Sequence, residues 1–455
     1  MIMKFIKPFV ITLSLMLCVL SGCRILRAPD PVRSIKDSGE SAVKQFKLAN
    51  NMPVLIVEES DSRVVTLDCW INTGSAAEPK DISGVSHFLE HMLFKGTSNR
   101  GVGEIDREIE AVGGMWNGGT SMEFTHYYLT VAAPFASTGL GVLHDVIANS
   151  LLDPEELERE RQVILEEYYR QQDDPSDFLY TEAVKNSFLQ SPCMWPVLGT
   201  PETINAITRD RMVQYYQERY APENMVLIIV GGVTAMEILP EVEKTFGTLN
   251  RPYVPPAESA EPTIRREGHH VEYERPVRES YLVITLPAPD ITRRQDVYAM
   301  DVLSGILGDG RSSRLHENIK EQKNLVSSIA AFYPTARTDG LFYITATLDY
   351  ARKDDVLKAI FEEIRAMIDE KPKRAEMQKA VRMITSNFAF SHEKSSGRSS
   401  ELGFYHTLTG DVQFEQTYLE MIEGVTPEDV RAVAARYLNP QSANIFIIKP
   451  AEEAE

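Results

Sequence analysis

The sequence predicts an α+β protein of two similar domains, each a mostly antiparallel sheet packed with helices. Three observations carry this. Strand-like and helix-like segments alternate from about residue 45 onward. Prolines 252, 255 and 256, followed by a Glu/Ala/Ser/Pro stretch to Pro262, mark an extended linker. The segment 208–230 is echoed by 426–448: a helix, then Arg219-Tyr220 or Arg436-Tyr437, then Pro222 or Pro440, then a strand. The expected boundaries are a leader at 1–22, a tether at 23–40, a first domain at 41–250, a linker at 251–267 and a second domain at 268–455.

Along the chain, Lys4 and Lys7 precede an apolar run, 9–20, of signal-peptide length. It ends in Leu20, Ser21, Gly22 and Cys23, which resembles a bacterial lipobox, with Cys23 as the lipid-bearing residue. An ordinary signal peptide with an incidental Cys23 is the alternative. Residues 24–40 have little periodicity and many breakers, as a tether should. Segments 53–57 and 64–71 read as strands, and Cys69, in the alternating pattern of the second, reads as a buried thiol. Val102, Ile105, Ile109 and Val112 recur at helical spacing, and 124–132 reads as a strand. Asp153, Pro154 and Glu156 read as N-cap, first helical residue and capping-box partner of a helix running to about Gln172.

Composition excludes several classes. The chain has 455 residues, 43% apolar and 25% charged, an ordinary balance for domains with large cores. Lysine and arginine total 47 against 66 acidic residues, a formal charge of -19. A protein held to nucleic acid by phosphate neutralisation is expected to be basic. Four cysteines rule out a disulfide scaffold. Gly308-Asp-Gly310 lacks the Lys-Ser/Thr of a phosphate-binding loop, which argues against nucleotide.

The chemistry concentrates in residues 84–96. At 100° per residue His87, Glu90 and His91 share a sector of one helix, while Val85, Phe88, Leu89, Met92 and Leu93 fill the opposite side. Gly96 is placed to close it as C′. Two histidines at i and i+4 can share one tetrahedral Zn²⁺, and a nearby glutamate can take a proton from its water. This is the zinc-protease motif in reverse order, His-x-x-Glu-His. A solvated helix face carrying two histidines gives the same spacing, so a third ligand is required. Glu160 and Glu167, seven apart on one helix, supply the candidates: either can reach a metal while the other supports it.

The segment His-Phe-Leu-Glu-His-Met-Leu-Phe-Lys-Gly-Thr, 87–97, closely resembles the signature of the pitrilysin-type zinc peptidases, the family of insulin-degrading enzyme and the mitochondrial processing peptidase. The likeness continues through Gly113-Gly114, 117–120, Glu160 and Glu167, 198–203, 220–224 and 312–315, nearly the whole chain after Cys23. The resemblance implies that His87, His91 and Glu167 hold one zinc ion. It makes Glu90 the general base and Glu160 the supporting carboxylate. It makes the strand of Asn117 an edge to which an extended substrate adds. It makes the first domain catalytic, the second non-catalytic, and the whole chain one half of a clam-shell that closes around peptides and unfolded segments.

One departure stands out. Where active relatives carry Arg-x6-Tyr to clamp the substrate carbonyl, alignment from 312–315 places Lys320 and Ser327. Lysine keeps the charge without the planar fork, and serine reaches less far than tyrosine. The expectation is therefore a lipid-anchored zinc endopeptidase facing the periplasm. It pairs, as homo- or heterodimer, with a homologous chain that supplies Arg-x6-Tyr. The alternative is a peptide-binding or scaffold lipoprotein that keeps the metal site without turnover.

Overall fold

The computed structural model of the protein describes residues 43–256, 263–338 and 340–451. Cys23, the leader and the tether lie outside these residues, as do 257–262 of the linker. The described residues form one compact unit.

Continuous apolar runs, buried on both faces, form the central strands of two sheets, and alternating runs form strands nearer the edges. In chain order the strands are β1 (Lys44–Lys47), β2 (Pro53–Glu58), β3 (Val64–Ile71), β4 (Met115–Thr120), β5 (Thr125–Ala132), β6 (Phe188–Gln190), β7 (Met225–Gly231), β8 (Thr263–Ile264), β9 (His269–Arg275), β10 (Ser280–Ala288), β11 (Val326–Phe332), β12 (Gly340–Leu348) and β13 (Asn444–Pro450). The first sheet has the order β1-β2-β7-β3-β5-β4 and the second β11-β12-β10-β13-β9, while β6 and β8 pair separately. Read from β4, the order β4-β5-β3-β7-β2 matches β11-β12-β10-β13-β9 strand for strand. The one parallel pairing falls at the same place in each, β2 with β7 and β9 with β13. The echoed sequence segments are the equivalent parts: helix Arg209–Arg219, capped by Thr208, leads into β7, and helix Pro427–Tyr437, capped by Thr426, leads into β13.

Each sheet buries one face in its own apolar core. The first core gathers Leu67, Phe88, Leu89, Tyr127, Leu129 and Leu227, and the second Leu282, Leu303, Phe342 and Ile447. The other faces are covered by exchange. Helix Ser395–Thr409, from the second half, packs on β3 and β7, and helix Pro175–Ser187, from the first half, packs on β10 and β13. Gly403 permits the first contact, because a Cβ there would stand 2.1 Å from the Trp70 ring. Neither half covers its own sheet alone.

Local details differ from the sequence expectations in places. The helix expected near 102–112 is Glu104–Ala111, and Val102 lies before it, 54% exposed. Asp153 caps helix Pro154–Asp173 by accepting from the backbone N–H groups of Glu155 and Glu156. Glu156 does not close the expected capping box; its carboxylate pairs with Arg159 instead. The His87 helix stops at Leu93 with Phe94 as C-cap, so Gly96 lies one residue beyond C′, where φ is +95°. Cys69 is buried in the first core, and it and Cys193 are free thiols.

Candidate metal centre

The helix Val85–Leu93 is seated by its apolar side: Val85, Phe88, Leu89, Met92 and Leu93 are all fully buried. Its N-cap, Gly84, has φ +96° and no side chain to satisfy the first N–H groups. Glu78 does this from outside the helix. Its Oε2 accepts from Gly84 N at 2.6 Å and its Oε1 from Ser86 N at 2.7 Å. Burial nevertheless pushes the Glu78 carboxyl up to about 7, against those two bonds. Gly199 packs so closely under the helix start that a Cβ would stand 2.3 Å from Ser83 O, which gives the segment 198–203 a structural purpose.

The second helix, Pro154–Asp173, is locked beside the first. Leu157 and Ile164 are buried, and Arg161 donates to the carbonyls of Ile204 and Ile207 while its guanidinium lies 5.3 Å over the Phe88 ring. Glu160 and Glu167 thereby face the histidines.

His87, His91 and Glu167 each offer one ligand atom, all within 4.8 Å of one another. Glu167 Oε2 lies 3.8 Å from His87 Nε2 and 3.6 Å from His91 Nε2. Tetrahedral zinc with bonds of about 2.0–2.2 Å places its donors about 3.3–3.6 Å apart. The two Glu167 separations lie within a few tenths of an ångström of that range, and two imidazoles with a carboxylate are a donor set that zinc takes. The three side chains keep 13%, 19% and 29% exposure, so the site opens to solvent, as a fourth position for water needs.

The surroundings fix protonation and orientation. Burial, with the charge of His91 beside it, drives the His87 imidazole down to about 3, so the ring is neutral. Burial opposes the charged form of His91 also, but its hydrogen bond to Glu160 and the charges of Glu167 and Glu90 leave it above the usual histidine value. His91 Nδ1 lies 3.1 Å from Glu160 Oε2, and Lys95 Nζ is 2.7 Å from the other oxygen of Glu160. That arrangement turns His91 Nε2 toward Glu167. Burial holds the Glu90 carboxyl above its ordinary value, opposed by the Thr120 hydroxyl, which donates to Oε2 at 2.6 Å. Gly118, on β4, makes room here: a Cβ would stand 3.3 Å from Glu90 Cγ.

The remaining predicted site residues fall elsewhere. Asn117 is on β4, the edge strand, but its side chain is exposed on the face away from Glu90, beside Tyr128. Lys320 sits on a π-helical segment, Leu315–Gln322, packed on β11. Ser327 lies at a bulge in β11, where its hydroxyl donates to Glu279 at 2.9 Å. Neither belongs to the metal cluster. Three contributors carried no role in the sequence reading. Thr120 alternates with Gly118 on the strand beside Glu90, so its face was legible from period-two spacing. Lys95 lies one turn after His91. Glu78 gave no local signal at all.

The topological counterpart of the His87 helix in the second half is Arg294–Leu307, which follows β10 as Val85–Leu93 follows β3 and carries no histidine. Comparison with known proteins agrees with this asymmetry. Residues 54–197, which contain His87, Glu90, His91 and Glu167, match the family model described as insulinase, peptidase family M16. Residues 206–384 match that of the peptidase M16 inactive domain. The fold is that of a protease from Helicobacter pylori, with a TM-score of 0.84 over 90% of this chain and 100% of that one at 23% identity. It is also that of an M16 inactive-domain protein from Pseudomonas fluorescens, at 0.82 over 91% and 99% with 19% identity. Among curated relatives, an uncharacterized zinc protease of Streptomyces coelicolor is 28% identical over 92% of both chains. One of Mycobacterium leprae is 30% identical over 83% of this chain and 85% of its own length. With that extent of identity, and with both halves matched by the paired M16 domains, the chain belongs to peptidase family M16.

Proposed function

We propose that the protein is a zinc metalloendopeptidase that hydrolyses peptides or unfolded segments in the cell envelope. The observation that carries this is the convergence of one ligand atom each from His87, His91 and Glu167 within 4.8 Å, with Glu90 on the helix of the two histidines. When bound, zinc supplies a Lewis acid that polarises the scissile carbonyl and acidifies water. The edge of β4 aligns an extended peptide by backbone hydrogen bonds. Thr120 occupies Glu90 Oε2, which leaves Oε1 to take a proton from the attacking water and pass it to the leaving amine. Glu160 and Lys95 hold the His91 ring. Mass-spectrometric detection of peptide cleavage that disappears with a chelator and returns with zinc tests this reading. Zinc binding without cleavage would leave a binding lipoprotein.

The signal-like segment 1–22 supports the envelope location. Cys23 is the proposed lipid attachment point, so Cys23→Ser should leave the chain soluble or unprocessed. Lys320 and Ser327 favour a partnership with a homologous chain bearing Arg-x6-Tyr. A second copy of this chain would bring the same lysine and serine.

A further inference from the structure

β4 is the outer strand of the first sheet. A peptide added to it sends alternate side chains to opposite faces. One face is that of the metal-site helix: Trp116 packs on Phe94, ring centroids 4.2 Å apart, and Thr120 bonds Glu90. The other face carries Met115, Asn117 and Gly119. Met115 is 69% exposed and Asn117 is also exposed, so this shelf is open to solvent.

The shelf has a polar floor that the metal chemistry leaves unused. His126, on β5, is in register with Gly119. Its Nδ1 lies 3.1 Å from Asp68 Oδ1, and the other oxygen of Asp68 accepts from Ser399 Oγ at 3.2 Å. Asp68 is 1% exposed. The Asp68 carboxylate can only accept, so it selects the tautomer with the hydrogen on Nδ1, in which Nε2 carries the free lone pair. The ring is fixed between Trp70 and Tyr128, at centroid distances of 4.3 and 5.3 Å. Across from it Gly119 has no side chain, and a Cβ there would stand 3.3 Å from Nε2. Nε2 itself has no hydrogen-bond partner among the described residues. The result is a notch at the edge strand, floored by an oriented and unused imidazole nitrogen.

We infer that this notch is a side-chain subsite, in which His126 Nε2 selects, at the peptide position opposite Gly119, a residue whose side chain donates a hydrogen bond. The inference rests on the reading of β4 as a peptide-binding edge. The acid groups nearby are Asp68, which touches the ring, and Glu90, which lies close enough that His126 acts on its carboxyl. Both oppose an acidic side chain. Lysine, arginine, asparagine, glutamine, serine and threonine fit; aspartate, glutamate and leucine do not. Gly119 stands between Thr120, which bonds Glu90, and Gly118, where a Cβ would stand 3.3 Å from Glu90 Cγ, so the selected residue is close to the scissile bond.

The test uses the zinc-loaded full chain with Glu90→Gln, so that binding is read without turnover. Short fluorescent peptides are scanned position by position for affinity. One position should bind donor side chains about tenfold more tightly than aspartate or leucine. His126→Phe, which keeps a stacked ring, and Gly119→Ala, which fills the notch without touching Asp68, should each reduce that ratio to about twofold or less. Equal affinity at every position, a preference that survives both variants, or no peptide binding at all would overturn the inference. The peptidase reading fails separately, if unsubstituted zinc-loaded protein binds the same peptides and leaves them uncut.

Discussion

Glu160 and Glu167 engage the two nitrogens of the same histidine. Glu160 Oε2 lies 3.1 Å from His91 Nδ1, while Glu167 Oε2 lies 3.6 Å from His91 Nε2. Sequence spacing left either carboxylate as the candidate ligand. Lys95 separates them: its ammonium occupies Glu160 at 2.7 Å and neutralises the carboxylate that a metal would need.

The two acids should therefore respond differently to removal of charge. Glu167→Gln is expected to lose zinc on dialysis, because a neutral amide replaces an anionic ligand. Glu160→Gln should retain the metal with affinity weakened about 10–100-fold, the usual scale for a partner that orients a ligand. Zinc content after competition with a graded chelator distinguishes them, and equal losses would remove the division of labour.

Glu90 should show the reverse pattern. Glu90→Gln is expected to keep zinc and to lower peptide turnover by about 10²–10⁴-fold. Thr120→Val removes the hydroxyl that donates to Glu90 Oε2 and should lower turnover by about tenfold, with zinc content unchanged. Turnover in Glu90→Gln within about threefold of the parent would exclude Glu90 as the base.

What could be read from the chain was what repeats locally. The burial of Val85, Phe88, Leu89, Met92 and Leu93 followed from helical periodicity alone, and so did the common side of His87, Glu90 and His91. The echoed helix–turn–strand segments pointed correctly to two sheets of one topology. Contacts between distant parts of the chain left no such trace. Nothing near Gly403 announces that its helix will lie on Trp70, because the constraint is the room left by a ring in the other half. Glu78 caps a helix that it does not belong to. The π-helical turn bearing Lys320 has an i→i+5 pattern with no residue signature.

The exchange of covering helices has a mechanical consequence. Gly403→Ala would push a methyl group into Trp70 and is expected to destabilise the chain by about 1–3 kcal/mol, the scale of overpacking in a filled core. Because helix Ser395–Thr409 covers the first sheet from the second half, both halves should melt together in parent and variant. Calorimetry showing two separate transitions, with only one shifted, would refute that coupling.

Asp301 gives a pH signature away from the metal centre. It is partly buried on helix Arg294–Leu307, and Tyr418 donates to it at 2.8 Å. Burial raises its carboxyl to about 7, against that bond. The folded state then holds a proton that the unfolded state releases near pH 4. Stability from this group is present at low pH, falls as pH rises from about 4 to 7, and stays low above. Asp301→Asn keeps an acceptor for Tyr418 and cannot ionise. It should raise the melting temperature at pH 8 and leave it nearly unchanged at pH 4. Equal shifts at both values would show that Asp301 acts through packing rather than charge.

Lys320 and Ser327 stand where the resemblance calls for Arg-x6-Tyr. Both lie on the second half, outside the metal cluster, and Ser327 is engaged with Glu279 and the carbonyl of Thr347. A homodimer would set the same two residues opposite each zinc site, so self-pairing restores neither the guanidinium fork nor the reach of tyrosine. A homologous partner with Arg-x6-Tyr would restore both. A misplacement of about 1 Å in a positioning group can cost on the order of 10²-fold in rate. The purified chain should therefore bind zinc normally and cleave peptides slowly, and addition of the partner should raise turnover far more than zinc affinity. The double change Lys320→Arg with Ser327→Tyr should raise the activity of the chain alone. If the chain, shown free of other subunits, already cleaves as fast as the mixture, then it needs no partner, and its own lysine and serine suffice to hold the substrate.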